Sequence, residues 1–256
     1  MAGLGARSVL VTGANRGIGL ELVRQLLGKP DPPQWVFACS REPDGERGQE
    51  LRNLASRHPN VVMIKLDATS PASVKDAAGC VEDHLKGSGL NLLINNAGIY
   101  KEVDLEAVDL EDMINKYKTN VVGPLLVSQA FLPLLRRAAQ ASLQEGLSCR
   151  KAAIVNISSL LGSIKLVSLT YGKPAISYRC SKAALNMLTE CQAMSYKEDG
   201  ILCTMIHPGW VKTDMGGQEA DVTVDESVRG ILSVLSTLSN EHSGAFFDWK
   251  GKKLPW

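Results

Sequence analysis

Ser8-Val9-Leu10-Val11-Thr12-Gly13-Ala14-Asn15-Arg16-Gly17-Ile18-Gly19 joins an apolar run to a glycine-rich turn and opens an amphipathic segment that continues to Leu27. Main chain approaches a pyrophosphate closely only where no Cβ intervenes, and a helix starting at the turn aims its positive end at the same anion. The glycines at 13, 17 and 19 give GxxxGxG instead of the GxGxxG dinucleotide fingerprint. A glycine turn also serves to pack helix on strand with no ligand involved. The strand before this one and the helix after it supply the context that phosphate binding requires.

Outward from the turn, short apolar runs alternate with longer amphipathic segments, the pattern of βαβ units. Strands are predicted at 9–11, 35–39, 61–66, 90–94, 153–157 and 201–206, with a closing strand at 245–247. Helices are predicted at 18–27, 48–56, 70–86 and 225–238, with a long one over 110–137 interrupted around Gly123-Pro124. Residues 138–150 extend that long helix or form a surface loop. A loop over 160–176, broken by Gly162, Gly172 and Pro174, precedes a helix carrying Tyr178 and Lys182. No repeat or low-complexity segment calls for a second domain, so residues 1–256 are expected to form one Rossmann-type doubly wound α/β domain. Its central sheet should be mainly parallel, with helices on both faces.

Composition narrows the partners. A chain of 256 residues with 45% hydrophobic and 21% charged residues can bury a substantial core. Its formal net charge of +1 and lack of a long basic run argue against nucleic acid, and no apolar stretch is long enough for a membrane span. The six cysteines and four histidines show no metal-ligand spacing, so no metal is expected. Reduced thiols and an N-terminus that enters a strand without a signal peptide predict a cytoplasmic location. Cys180, inside the Tyr178–Lys182 run, reads as a small buried helix residue before it reads as a redox switch.

Tyr178 and Lys182 are four apart and share a helix face. An ammonium beside a phenol favours the ionised form, making a group with a pKa of about 10 usable as acid or base. A nucleotide at one end and a tuned proton donor at the other suggest hydride transfer. After the second strand, where an acid would accept from the ribose hydroxyls of NAD, this chain has Ser40-Arg41. Arg41, with Arg16 in the glycine turn, favours the extra phosphate of NADP(H), although Arg41 also reads as a solvated surface residue.

With Asn95-Asn96-Ala97-Gly98, Asn120, Ser159 and the run Pro208-Gly209-Trp210-Val211-Lys212-Thr213-Asp214 following in order, the chain resembles the short-chain dehydrogenase/reductase superfamily over nearly its whole length. The ending from Gly244 to Trp256 and the run Asn156-Ile157-Ser158-Ser159-Leu160-Leu161-Gly162-Ser163 look like sniffer-type carbonyl reductases and their C-factor relatives. The resemblance implies that Ser159 polarises a substrate carbonyl and that Tyr178 donates the proton. Lys182 then lowers the tyrosine pKa and binds nicotinamide ribose, and Asn120 supports a water-linked proton path. It further implies cofactor contacts from Gly13, Asn15, Arg16, Gly17, Ile18, Gly19, Arg41, Asp67, Asn95, Ala97, Gly98, Pro208, Gly209, Val211 and Thr213. Asn95-Asn96 also reads as a closure of the strand end, and Thr213-Asp214 as a helix cap.

Ser159 and Tyr178 are nineteen apart, more than in many members of the superfamily, so the extra residues must loop out if the hydroxyls are to meet. Ser158 is the adjacent alternative to Ser159, and Tyr171 has Ala175 where a lysine would be needed. Tyr100, Leu160, Trp210 and Met215 read either as walls of an apolar substrate pocket or as core and rim. Ala183, Ala184, Leu185, Met187 and Leu188 mark a face for homodimer contact or for core packing. The expected activity is reduction of a small-molecule aldehyde or ketone with NADPH. The alternatives are an NAD(P)-dependent hydroxysteroid or alcohol dehydrogenase, and a nucleotide-sensing interaction protein with little turnover.

Overall fold

The computed structural model describes residues 3–172 and 174–256; residue 173, in the lengthened loop, and residues 1 and 2 lie outside the described residues. In chain order the first half runs β1 (Ser8–Thr12), α1 (Gly17–Leu27), β2 (Trp35–Ser40), α2 (Gln49–Ala55), β3 (Val61–Lys65), α3 (Pro71–Leu85) and β4 (Leu92–Asn95). The second runs α4 (Leu110–Tyr117), α5 (Gly123–Ala141), β5 (Ala153–Ile157), α6 (Val167–Thr170), α7 (Ile176–Ser195), β6 (Leu202–His207), α8 (Val224–Thr237), β7 (Phe246–Asp248) and β8 (Lys253–Leu254). The strands form one sheet in the order β3-β2-β1-β4-β5-β6-β7-β8, parallel throughout except where β8 pairs antiparallel with β7. The doubly wound class is therefore as expected. The two-residue β8 is too short to leave a sequence pattern.

Alternation along the strands explains both layers, because successive side chains of a strand point to opposite faces. Val9, Val11, Val36, Ala38, Leu92 and Ile94 face the layer of α1 and α8, where Leu22, Leu26, Val228 and Ile231 meet them. Leu10, Phe37 and Leu93 face the other layer, with Val74 and Val81 of α3 and Phe131 and Leu135 of α5. Each such large side chain, fully buried, contributes roughly 1.5–3 kcal/mol. Helix starts follow the local chemistry. Ser70 accepts from the Ser73 N–H ahead of Pro71, Asp109 accepts from the Asp112 N–H at 2.8 Å, and Thr223 and Glu226 form a capping box.

Two elements depart from expectation. The long helix breaks before Gly123-Pro124, in a π-helical stretch Lys118–Val122 where the Gly123 N–H reaches back five residues to the Lys118 carbonyl. The wider turn carries Asn120 into the interior, where it is fully buried. The loop over 160–176 also holds structure of its own, a 3₁₀ turn Leu160–Gly162 and the one-turn α6. Such single turns are too short for hydrophobic periodicity to reveal.

Candidate active site

Strand order reverses at β1, whose neighbours β2 and β4 lead to helices on opposite faces, and a crevice opens beyond the strand ends. The glycine turn leaves β1 there, with φ of +64° at Gly13 and +51° at Gly17, values that favour glycine. A Cβ on Gly13 would lie 3.1 Å from the Ala97 Cα, and one on Gly19 would lie 2.1 Å from the Gly13 carbonyl oxygen. Asn96 holds the turn from β4: its amide donates to the Thr12 carbonyl at 3.0 Å, and the N–H groups of Asn96 and Ala97 each donate to Thr12 Oγ1 at 3.0 Å. Asn96 thus closes the strand end, as in its alternative reading, and Thr12 is a structural member of the site to which the motif reading gave no role.

The residues present fit a dinucleotide. α1 begins at Gly17 with no side-chain cap and no acidic residue in its first turn, so its free N–H groups and positive end face the crevice uncompensated. Ser40, at the end of β2, has a buried hydroxyl without a partner among the described residues. Next to it, Arg41 is exposed and lies close enough to Asp67 to act on its charge. Burial pushes the Asp67 carboxyl up, but the Thr69 N–H and hydroxyl, with Arg41 and Lys118, outweigh it and hold the group below its usual range.

Other expected contacts divide. Arg16 is not open-handed: its guanidinium pairs with Asp214 at 2.6 Å across the surface. A hollow of about 440 Å³ lies beside this pair, lined by Asn15, Arg16, Gly17, Arg47 and Asp214 among others. Thr213 sits against the turn, since a Cβ on Gly17 would come 3.3 Å from its Cγ2, and its hydroxyl accepts from the Gly216 N–H. It caps no helix; Thr223 does that for α8. Gly209 has φ +91°, the Pro208 carbonyl accepts from Ser227, and Val211 bridges to Val222, which together fix this arm. The Asn95 amide nitrogen donates to Ser128 and Asn156 in the interior, so this side chain closes the strand end.

At the other end of the crevice the four chemical side chains converge. Asn120 accepts from the Ile99 N–H at 2.9 Å and donates to the Ile99 carbonyl and to Ser181 Oγ, each at 3.0 Å. Its amide is thus fully committed within the chain. A Cβ built on Gly98 would lie 3.3 Å from Asn120 Oδ1 and 3.7 Å from Lys182 Nζ, which sets Gly98 at the junction of the β4 end and the catalytic helix. Ser159 accepts from the Leu161 N–H at 3.2 Å, and its side chain lies near enough to the Tyr178 phenol to favour its ionised form. Ser158 points inward and donates to Asn186 Oδ1 at 2.5 Å, away from Tyr178.

The expected tuning of Tyr178 needs correction. Lys182 Nζ lies 5.6 Å from the centre of the Tyr178 ring and donates to the Ile157 carbonyl at 2.8 Å. Burial pushes the phenol up to about 12, with Ser159 working the other way, and burial also brings Lys182 down to about 8. Desolvation of both groups outweighs their mutual attraction in the protein alone.

The extra residues between Ser159 and Tyr178 do loop out. Gly162 packs on the helix, where a Cβ would meet the Lys182 carbonyl carbon at 2.7 Å. Arg179, buried beside Tyr178, donates to Thr170 Oγ1 at 3.0 Å and to the Thr170 carbonyl, clamping α6 to α7. Ile164, Leu169 and Tyr171 remain exposed on the loop. Cys180 is exposed and not buried, because two residues beyond Tyr178 is more than halfway round the helix. Leu185 belongs to the chain's own interior, whereas Met187 and Met194 are exposed.

The model of the short chain dehydrogenase family matches residues 7–222. The chain belongs to that family. A carbonyl reductase from chicken fatty liver, solved with NADPH bound, superposes with a TM-score of 0.94 at 60% identity, over 98% of this chain and 99% of that one. The carbonyl reductase Sniffer of D. melanogaster gives a TM-score of 0.93 at 38% identity, over 98% of this chain and all of that one (100%). The C-signal protein of Myxococcus xanthus is 41% identical over 168 residues, 65% of this chain and 93% of its own length. Within the short chain dehydrogenases, the narrower resemblance to sniffer-type and C-factor relatives therefore holds as well.

Proposed function

We propose that this protein is an NADPH-dependent carbonyl reductase that converts an aldehyde or ketone to an alcohol, with Tyr178 as proton donor. The observation that carries this is the junction at Gly98, where the crevice behind the glycine turn meets Asn120, Lys182 and, one helical turn earlier, Tyr178 with Ser159 near its phenol. NADPH, when bound, supplies the hydride. Gly13, Asn15, Gly17, Ile18 and Gly19 would hold its pyrophosphate through main chain and the α1 end, and Asp67, Ala97 and Gly98 would border its adenosine side. Arg41 and Arg16 would take the 2′-phosphate, Arg16 by exchanging Asp214 for it. Such an exchange costs little, because both partners of that pair are largely exposed. Pro208, Gly209, Val211 and Thr213 would close over the nicotinamide.

Negative charge builds on the carbonyl oxygen as it is reduced, and donors aimed at that oxygen stabilise the transition state more than the ground state. Ser159 holds the oxygen and Tyr178 gives it a proton. Ile157 keeps the Lys182 ammonium beneath the phenol, with its remaining N–H groups free for ribose hydroxyls. The cation then stabilises the tyrosinate left behind. The loop over 160–176 borders the substrate entrance.

Among the described residues, no helix is long and apolar enough to cross a membrane. A cytoplasmic location fits six cysteines that form no disulfide. A homodimer through the exposed stripe of Met187, Met194 and Cys191 on α7 fits a helix that leaves these apolar side chains uncovered. Light scattering should then show twice the chain mass, and a monomer at all concentrations contradicts the dimer. The test of function is NADPH oxidation with a panel of aldehydes, diketones, quinones and steroid ketones. Turnover with at least one is expected, and tight NADPH binding without turnover on any contradicts the proposal.

A further inference from the structure

The segment after β4 is stitched down on both sides of Tyr100. Before it, both main-chain groups of Ile99 are held by the Asn120 amide. After it, the Val103 N–H donates to the Pro174 carbonyl at 2.8 Å and the Ile176 N–H donates to the Val103 carbonyl at 3.3 Å, tying the segment to the start of α7. Between these anchors the Tyr100 hydroxyl donates to Glu102 at 2.9 Å. Its ring stands edge-on to Tyr178, with centroids 4.9 Å apart and an interplanar angle of 86°. Tyr100 thus sits on a segment anchored to Asn120 on one side and to the lengthened loop on the other, with its ring against the Tyr178 phenol.

We propose that Tyr100 is a positioning and specificity-determining residue for proton transfer from Tyr178, a proposal that rests on the carbonyl reductase reading. A phenol O–H prefers the plane of its ring, and the edge-to-face contact fixes that plane, so Tyr100 sets the direction in which Tyr178 offers its proton. Tyr100 is no rival acid. Its hydroxyl is spent on Glu102, and burial together with Glu102 pushes it well above the usual phenol range. Its ring is only partly buried, and it occupies the space beside the Tyr178 ring. A substituent of the substrate carbonyl on that side must lie against it, which selects slim or flat groups.

The test compares the unsubstituted protein with Tyr100→Ala and Tyr100→Phe, using NADPH with benzaldehyde and with the bulkier 2-naphthaldehyde. Loss of the ring should lower kcat for benzaldehyde about three- to tenfold, the worth of one edge-to-face pair, with NADPH affinity by fluorescence unchanged. The ratio of kcat/KM values should move towards 2-naphthaldehyde. Tyr100→Phe, which keeps the ring, should restore both. Wild-type kcat and aldehyde preference in Tyr100→Ala overturns the proposal, as does equal damage in Tyr100→Phe. A readout independent of turnover separates failure of this inference from failure of the carbonyl reductase reading. In protein carrying ¹³C-tyrosine, the Tyr178 ring signals, assigned with Tyr178→Phe, should shift in Tyr100→Ala and stay in place in Tyr100→Phe. Unchanged Tyr178 signals in Tyr100→Ala overturn the positioning role even if no aldehyde is reduced.

Discussion

At the nucleotide end of the crevice the structure is held by main chain and by the absence of side chains, Gly13 and Gly17 at positive φ and Gly19 against a carbonyl, with the short side chains of Thr12 and Asn96 each bonding the other's main chain. At the Tyr178 end it is held by long side chains, Arg179 reaching Thr170 and Tyr100 packing on Tyr178. Backbone packing leaves no slack and accepts one geometry. Side-chain clamps can be exchanged one at a time, so the same proton chemistry can be fitted with different substrate walls. The first region should therefore fail abruptly when altered and the second should change its preferences.

Gly19→Ala should have the largest effect, because its Cβ would stand 2.1 Å from the Gly13 carbonyl oxygen and no flexible side chain can yield. NADPH affinity, measured by fluorescence titration, should fall by about a hundredfold or more, in line with what a displacement of about 1 Å costs a positioned site. Retained affinity would show that the turn is softer than its contacts imply. Arg41→Ala should cost about tenfold in NADPH affinity and leave NADH affinity within about twofold, the loss expected of one charge-assisted phosphate contact. Equal losses for both cofactors would move the 2′-phosphate away from Arg41.

On the Tyr178 side, Arg179→Met should raise KM for bulky carbonyls about three- to tenfold while NADPH affinity holds, since it frees α6 without touching the glycine turn. A fall in NADPH affinity instead would mean that the two ends are not separable. The smallest effect belongs to His207, at the end of β6, between the two regions. Burial pushes it down to about 4, against the pull of Asp248 and Asp221. The folded state keeps it neutral while the unfolded chain protonates it below about 6.5, so its contribution to stability is present above that pH and is lost as pH falls towards 4. Denaturant midpoints of His207→Gln should fall less steeply over that window than those of the unsubstituted protein.

The contrast also explains what the sequence could tell. Periodicity and glycine spacing are local, so β1, its turn and α1 were legible, and so was the parallel alternation of strands and helices. The pair Tyr178 and Lys182 was legible for the same reason, being one helical turn apart. What escaped depends on distant partners. Asn95 turns to Asn156, Arg16 turns to Asp214, and the depth of burial that raises Tyr178 and lowers Lys182 follows only from the packed fold. The π-helical turn that buries Asn120 ends just ahead of the Gly123-Pro124 signal, so the breaker in the sequence marked the neighbourhood and not the residues. Tyr100 was legible only as a pocket wall or core residue, and Arg179, though inside the Tyr178–Lys182 run, had no role of its own; only the nineteen-residue interval hinted that something had to hold the loop.

The most direct measurement is Tyr178→Phe, assayed for NADPH affinity and for single-turnover carbonyl reduction. Affinity should stay within about threefold of the unsubstituted protein while the rate falls about a thousandfold, the effect of removing a positioned acid whose ring remains in place. Undiminished reduction by that variant would contradict the assignment of Tyr178 as proton donor and, with it, the proposed mechanism.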